Sequence, residues 1–185
     1  PAFFNRVNII NSKDLKEINE IDQSIASKNT AVSVPIENSQ LKIATFNLFN
    51  YLEPPSAYYD FDRIYSAEQW QKKQRWLTDY LGEYQPDIIG FQEVFSSESL
   101  KELVSSQGYG YFEVVDQPEV IDGFIYKRPV VAIASRYPIV GIKAVEASNE
   151  LVQTLRLTDD FTFSRKILRA TVDIPHLGNC QGHLL

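Results

Sequence analysis

Sulfur and imidazole are scarce in this chain: its 185 residues include one cysteine, Cys180, no methionine, and two histidines, His176 and His183. A lone cysteine permits neither an internal disulfide nor a cysteine metal cluster, which excludes a disulfide scaffold and makes redox chemistry a poor reading. The two histidines lie in the last ten residues beside Cys180 with no helical pattern between them, so they read as tail residues rather than zinc ligands. Triads of the Ser/His/Asp or Cys/His kind lose support for the same reason, and no GxSxG elbow exists. No apolar run approaches the roughly 18 residues that a membrane helix needs. Neither GxGxxG nor GxxxxGK[ST] occurs, which argues against a doubly wound nucleotide fold. Basic charge is also short, 18 Lys and Arg against 24 Asp and Glu for a net −6. That field repels nucleic-acid phosphates overall and leaves only local basic loops to grip them.

What is present suits one hydrophobic core, with 44% hydrophobic and 23% charged residues. A soluble protein is expected, cytoplasmic or exported after removal of a signal. Residues 1–40 read as a polar N-terminal extension. It carries an amphipathic helical stretch over Ser12 to Ser27, where Leu15, Ile18, Ile21 and Ile25 recur at spacings of three and four.

From Leu41 the pattern changes. Alternation over Leu41 to Phe46 predicts a strand, and Pro54 and Pro55 interrupt regular structure after it. Trp70, Leu77, Tyr80 and Leu81 recur at helical period and predict a helix over Ala67 to Glu83, ended by Gly82 and Pro86. The apolar run DIIGFQEV, Asp87 to Val94, predicts a strand covered on both faces. A second helix is expected over Ser97 to Ser106, with a capping signature from Ser96 onward. Five strands are then predicted: Tyr111 to Val115, Val130 to Ser135, Ile139 to Val145, Leu151 to Leu157 and Phe163 to Ile174. The final residues 176–185 resemble neither a helix nor a strand ending. Strand, helix, strand, helix and then several strands describe an α/β sandwich.

The chemistry-bearing candidates stand at strand ends. Glu93 closes the buried run DIIGFQEV, where a carboxylate must be ion-paired, hydrogen-bonded or metal-bound. Asn47 closes LKIATFN in the same way. Two adjacent strands ending like this would aim an amide and a carboxylate at one point, half of an oxygen-ligand site for Mg²⁺ or Mn²⁺. A turn-forming Asn and a salt-bridged Glu would look the same, and spacing leaves both readings standing. Arg136 and Arg165 are positioned either to meet a phosphate or to support the strands. Asp60 and Asp62 in DFDR are extra acids in a loop, where Asp is also a common turn residue. A two-carboxylate glycosidase has no matching pair of strand ends.

Four motifs in order, LKIATFNLFN, QPDIIGFQEV, VVAIASRYPI and FSRKILRATVDIP, make the stretch 41–175 resemble the endonuclease/exonuclease/phosphatase superfamily, whose fold is that of deoxyribonuclease I. Members hydrolyse phosphoester bonds in nucleic acids, inositol phosphates, sphingolipids and nucleotides by in-line attack of water. The resemblance implies that Glu93 binds the catalytic divalent metal, Mg²⁺ or Mn²⁺, and that Asn47 helps to hold the metal and the scissile phosphate. The substrate it implies is a phosphoester, nucleic acid or small phosphorylated molecule. The family's later motifs are a His-Leu strand, a Gly-Asp-x-Asn loop and a terminal Asp-His pair, and these are missing. His183-Leu184 follows Pro175 by eight residues with no apolar run leading into it, and reads as tail. The expectation is therefore the N-terminal half of such a sandwich, truncated after roughly its first half, with little or no activity and marginal stability when alone. The alternative from a different class is a non-enzymatic binding module or an inactive remnant.

Overall fold

The computed structural model describes residues 6–11, 40–55, 58–59, 63–64, 66–122, 125–158, 161, 163, 165–175 and 177–184. The helix expected over Ser12 to Ser27 and the acids Asp60 and Asp62 lie outside the described residues.

Two sheets pack face to face, and two helices cover the outer face of the larger. That sheet holds β1 (Arg6–Asn11), β2 (Gln40–Tyr51), β5 (Ile88–Val94), β9 (Val130–Ser135) and β6 (Tyr111–Val114), in the order β1-β2-β5-β9-β6. The smaller runs β10 (Ile139–Val145), β11 (Ile167–Ile174), β12 (Gly178–Leu184). A four-stranded satellite is built from β4 (Arg63–Ile64), β3 (Tyr58–Tyr59), β8 (Ile125–Arg128) and β7 (Glu119–Ile121).

Alternation along the central strands sorts their side chains into two cores. Ala44, Phe46, Ile89, Phe91, Ala132 and Ala134 face α1 (Ala67–Tyr84) and α2 (Ser97–Ser106), meeting Leu77, Leu81, Leu100 and Val104. Leu41, Ile88, Val131 and Ile133 face the smaller sheet and pack on Leu168, Ala170, Val172 and Ile174. Helix α1 begins on a capping box between Ser66 and Gln69 and runs through Gly82 to Tyr84, where Gln85 turns left-handed at φ 45°.

The structure corrects four expectations. The stretch Leu151 to Leu157 is not a strand: α3 (Asn149–Thr154) occupies it, because the Ser148 hydroxyl accepts the Leu151 N–H and starts a helix turn. The strand expected from Phe163 begins only at Ile167. Ser96 does not cap α2 with its side chain; its Oγ accepts the Glu53 N–H at 2.8 Å. The C-terminal residues do form a strand, β12, paired with β11 from Leu168↔Leu184 to Ile174↔Gly178. Its sequence is polar, but backbone pairing after a turn with Gly178 at φ 72° holds it. The strand β1 was also not foreseen; it pairs antiparallel with β2, from Arg6↔Thr45 to Asn11↔Gln40, and so draws part of residues 1–40 into the main sheet.

Candidate active site

Strands β2 and β5 run parallel and in register from Ile43↔Ile88 to Asn47↔Gln92, then both lose their regularity. The next pair is Tyr51↔Val94, so Leu48, Phe49 and Asn50 stand against Glu93 alone. On its other side β5 passes from Phe91↔Ala132 to Val94↔Val130, two residues against one. These bulges place three non-glycine residues in the left-handed region: Phe49 at φ 48°, Asn50 at φ 58° and Glu93 at φ 60°. Asn tolerates that region, whereas for Phe49 and Glu93 it costs about 1–2 kcal/mol each. Bulges re-aim side chains and strain collects where function requires a particular geometry.

The re-aiming can be followed residue by residue. Ile89 and Phe91 face the helices, and unbroken alternation would send Glu93 there and Val94 to the other side. With the bulge, Val94 joins the helix-side core and Glu93 turns to meet Asn47. Asn47 Nδ2 donates to Glu93 Oε1 at 2.9 Å, and the Asn50 N–H donates to Oε2 at 3.1 Å. Asn47 Oδ1 accepts the Phe49 N–H at 2.8 Å. The amide orientation is dictated by its partners, a carboxylate that needs a donor and an N–H that needs an acceptor. Gln92 Nε2 donates to Thr45 Oγ1 at 2.7 Å and ties the two strands just below the pair.

Two cations reach this carboxylate end. Arg165 Nη2 lies 3.9 Å from Glu93 Oε1, both side chains partly exposed. Lys73, on α1, donates from Nζ to the carbonyls of Leu48 at 2.8 Å, Phe49 at 2.7 Å and Asn50 at 3.2 Å. Burial lowers its ammonium to about 8, with the Glu93 charge pulling the other way. Its neighbours on the same helix face close the floor: Trp70 packs its ring 4.6 Å from that of Tyr51, and Gln74 Nε2 donates to the Tyr51 hydroxyl at 2.8 Å. Burial drives the Tyr51 hydroxyl well above the ordinary phenol range.

Asn47 and Glu93, singled out from the sequence, are thus in direct contact. Arg165 joins them. Arg136 does not: it lies at the opposite end of the sheet, its guanidinium 4.5 Å over the Tyr109 ring and its Nε donating to the Pro86 carbonyl at 3.4 Å. Lys73 was missed, although a signal existed. It falls three after Trp70 and four before Leu77, a charge on the apolar stripe of a helix, and such a charge demands partners.

Could this end hold a divalent metal? A hard cation of the Mg²⁺ kind takes one or two carboxylates and completes its shell with water and substrate phosphate oxygens. Glu93 fits that role as a single carboxylate. Among the described residues no group of three or more His, Cys, Asp or Glu gathers into a full protein cage. Asn47 Nδ2 orients Glu93, and its Oδ1, which accepts the Phe49 N–H, has a second lone pair with which it could ligate a cation. Beyond Arg165 opens a cleft of about 520 Å³ that Arg128, Lys166, Asp116 and Glu119 also line. Its charges balance, with Asp116, Glu119 and Glu146 against Arg128, Arg165 and Lys166; Arg128 pairs with Glu119 at 3.0 Å and Lys166 with Asp116 at 3.2 Å.

The sequence model described as "Endonuclease/Exonuclease/phosphatase family" matches residues 44–180, most of the chain and all of the site. The chain belongs to this family. Similar solved structures include two that carry this description and one that does not. One is an endonuclease/exonuclease/phosphatase from Beutenbergia cavernae, 21% identical with a TM-score of 0.49, covering 77% of this chain and 37% of that one. Another is an endonuclease/exonuclease/phosphatase family protein from Leptotrichia buccalis, 16% identical with a TM-score of 0.48, covering 78% and 53%. A third is D. rerio TDP2 complexed with a single-strand DNA product, 15% identical with a TM-score of 0.46, covering 79% and 44%. The chain therefore spans between about a third and a half of the lengths of these structures. No curated protein matches the sequence. Family membership and the deoxyribonuclease I-like α/β sandwich agree with each other, and the Asn47–Glu93 end of β2 and β5 lies inside the matched segment. No helix among the described residues is long and apolar enough to cross a membrane.

Proposed function

We propose that the site serves divalent-metal-dependent hydrolysis of phosphoester bonds, with Glu93 as the metal-binding carboxylate, Asn47 helping to hold the metal and the scissile phosphate, and Mg²⁺ or Mn²⁺ as the ion. The single observation that carries this reading is the Asn47–Glu93 contact at two bulged strand ends, inside the segment that the family model matches. A bound ion would neutralise charge developing on the phosphoryl oxygens and lower the pKa of a bound water. The chain's own residues do the rest. Asn47 and the Asn50 N–H hold both oxygens of Glu93, so the carboxylate does not reorganise when charge arrives. Arg165, hydrogen-bonding distance plus about an ångström from the same carboxylate, supplies the guanidinium that a phosphate oxygen would meet in a bidentate pair.

The substrate is a phosphoester, nucleic acid or small phosphorylated molecule. Matched charges along the adjoining cleft and the net −6 of the chain favour the small phosphorylated molecule over a long polyanion. The activity proposed is that of the domain to which this segment belongs.

The test is hydrolysis of bis(p-nitrophenyl) phosphate with Mg²⁺ or Mn²⁺ by the full-length protein that contains this segment, compared with its Glu93→Gln variant, a substitution that keeps shape and removes charge. A loss of about a hundredfold or more in kcat with an unchanged far-ultraviolet spectrum is expected. Equal rates at saturating metal would overturn the assignment of Glu93.

A further inference from the structure

Lys73 is half-buried on α1, and its ammonium is aimed at backbone carbonyls. An ammonium has three donors, and here each faces one of three consecutive carbonyls, those of Leu48, Phe49 and Asn50. Extended backbone points successive carbonyls to alternate sides, so three can converge on one atom only because Phe49 and Asn50 are left-handed. The N–H groups of those two residues are the ones bonded to Asn47 Oδ1 and Glu93 Oε2. The same peptide turn therefore carries the ammonium on its carbonyl side and the amide–carboxylate pair on its N–H side.

We infer that Lys73 is a positioning residue: by gathering the carbonyls of Leu48, Phe49 and Asn50 it fixes the strained turn whose N–H groups hold Asn47 and Glu93 in place. This rests on the reading of Glu93 as the metal-binding carboxylate. It goes beyond that reading by assigning a role to α1, which contributes no ligand. The alternative roles of a buried lysine predict different signs. A lysine acting only through its charge repels a cation at Glu93, so its removal would tighten metal binding. A positioning lysine does the reverse, because a carboxylate freed from its preset geometry must be reordered each time the cation binds.

The experiment measures Mn²⁺ affinity by electron paramagnetic resonance and amide hydrogen exchange by nuclear magnetic resonance in the chain, Lys73→Met, Lys73→Arg and Glu93→Gln. Lys73→Met is expected to weaken Mn²⁺ binding at least fivefold and to speed exchange at Phe49 and Asn50 at least tenfold, with Ala44 and Ile89 unchanged. Lys73→Arg should recover most of both. Binding as tight as, or tighter than, that of the unsubstituted chain, with exchange unaltered, would overturn the inference. In the unsubstituted chain, the ¹⁵Nζ signal of Lys73 should show couplings across hydrogen bonds to the carbonyl carbons of residues 48–50. Their absence would overturn it even if Lys73→Met does not fold. If Glu93→Gln binds Mn²⁺ as the parent does, the reading of Glu93 fails, while exchange at Phe49 and Asn50 and the ¹⁵Nζ couplings still decide the role of Lys73.

Discussion

The two ends of the β2–β5 pair are made from the same two strands and differ in almost everything else. At the start, pairing is regular and the groups around Asp87 and Tyr109 are tied into neighbours. Asp87 Oδ2 accepts the Lys42 N–H at 2.8 Å, and the Asp87 N–H returns to the Lys42 carbonyl at 2.8 Å. The Asp87 carbonyl accepts the Arg136 N–H at 2.9 Å, and the buried Tyr109 hydroxyl donates to the Pro86 carbonyl at 2.6 Å. At the other end the same strands bulge, enter the left-handed region three times and converge a carboxylate, an amide and two cations on a partly exposed point. The lesson is one of division: the satisfied end and the shared core between Phe46 and Phe91 hold the strands rigid, so that the strained end can keep a geometry that local propensity disfavours.

Two arginines offer the sharpest way to break that comparison, since the sequence gives both of them a chance at phosphate and the structure separates them. In the full-length protein, Arg165→Met is expected to lower kcat/KM for a phosphodiester about tenfold, the loss of one charge-assisted contact. Arg136→Met should leave kcat/KM within a factor of two and cost about 1 kcal/mol in urea unfolding, through the lost ring contact and carbonyl bonds. Equal effects on hydrolysis would erase the distinction between the ends.

A smaller effect probes the satisfied end alone. Burial pushes the Tyr109 hydroxyl up to about 12, against the pull of Arg136. The unfolded chain releases that proton near 10, so between about pH 10 and 12 the unfolded state binds fewer protons than the folded one. The stabilisation is complete below pH 10 and is lost as pH rises through 12. Tyr109→Phe is expected to lower stability by about 1 kcal/mol at neutral pH and to flatten the loss between pH 10 and 12, with hydrolysis unaffected. Chemical denaturation across that range checks it.

How much of this was legible before the structure follows from which signals are local. The strands over Val130 to Ser135 and Ile139 to Val145 and the helix α2 occur with the boundaries their apolar pattern indicates. Asn47 and Glu93 could be singled out because a polar residue closing an apolar run is visible in one dimension. The bulges could not, because register is a property of two strands and neither sequence alone states where pairing slips. Nor could β12, whose NCQGHL lacks alternation and is held by its partner's backbone. At α3 the sequence LVQTLRL alternates like a strand, but the Ser148 cap decides the outcome. Lys73 was legible only as an anomaly, a charge on a buried stripe whose partners are carbonyls that no side-chain pattern reveals.

Paramagnetic broadening by substoichiometric Mn²⁺ tests the division between the two ends most directly. The account predicts that the backbone amides of Asn47 to Asn50, Gln92 to Val94 and Arg165 lose intensity first, while those of Lys42, Asp87, Tyr109 and Arg136 keep theirs, and that Glu93→Gln abolishes the effect. Broadening centred on Asp87, or undiminished in Glu93→Gln, would contradict it.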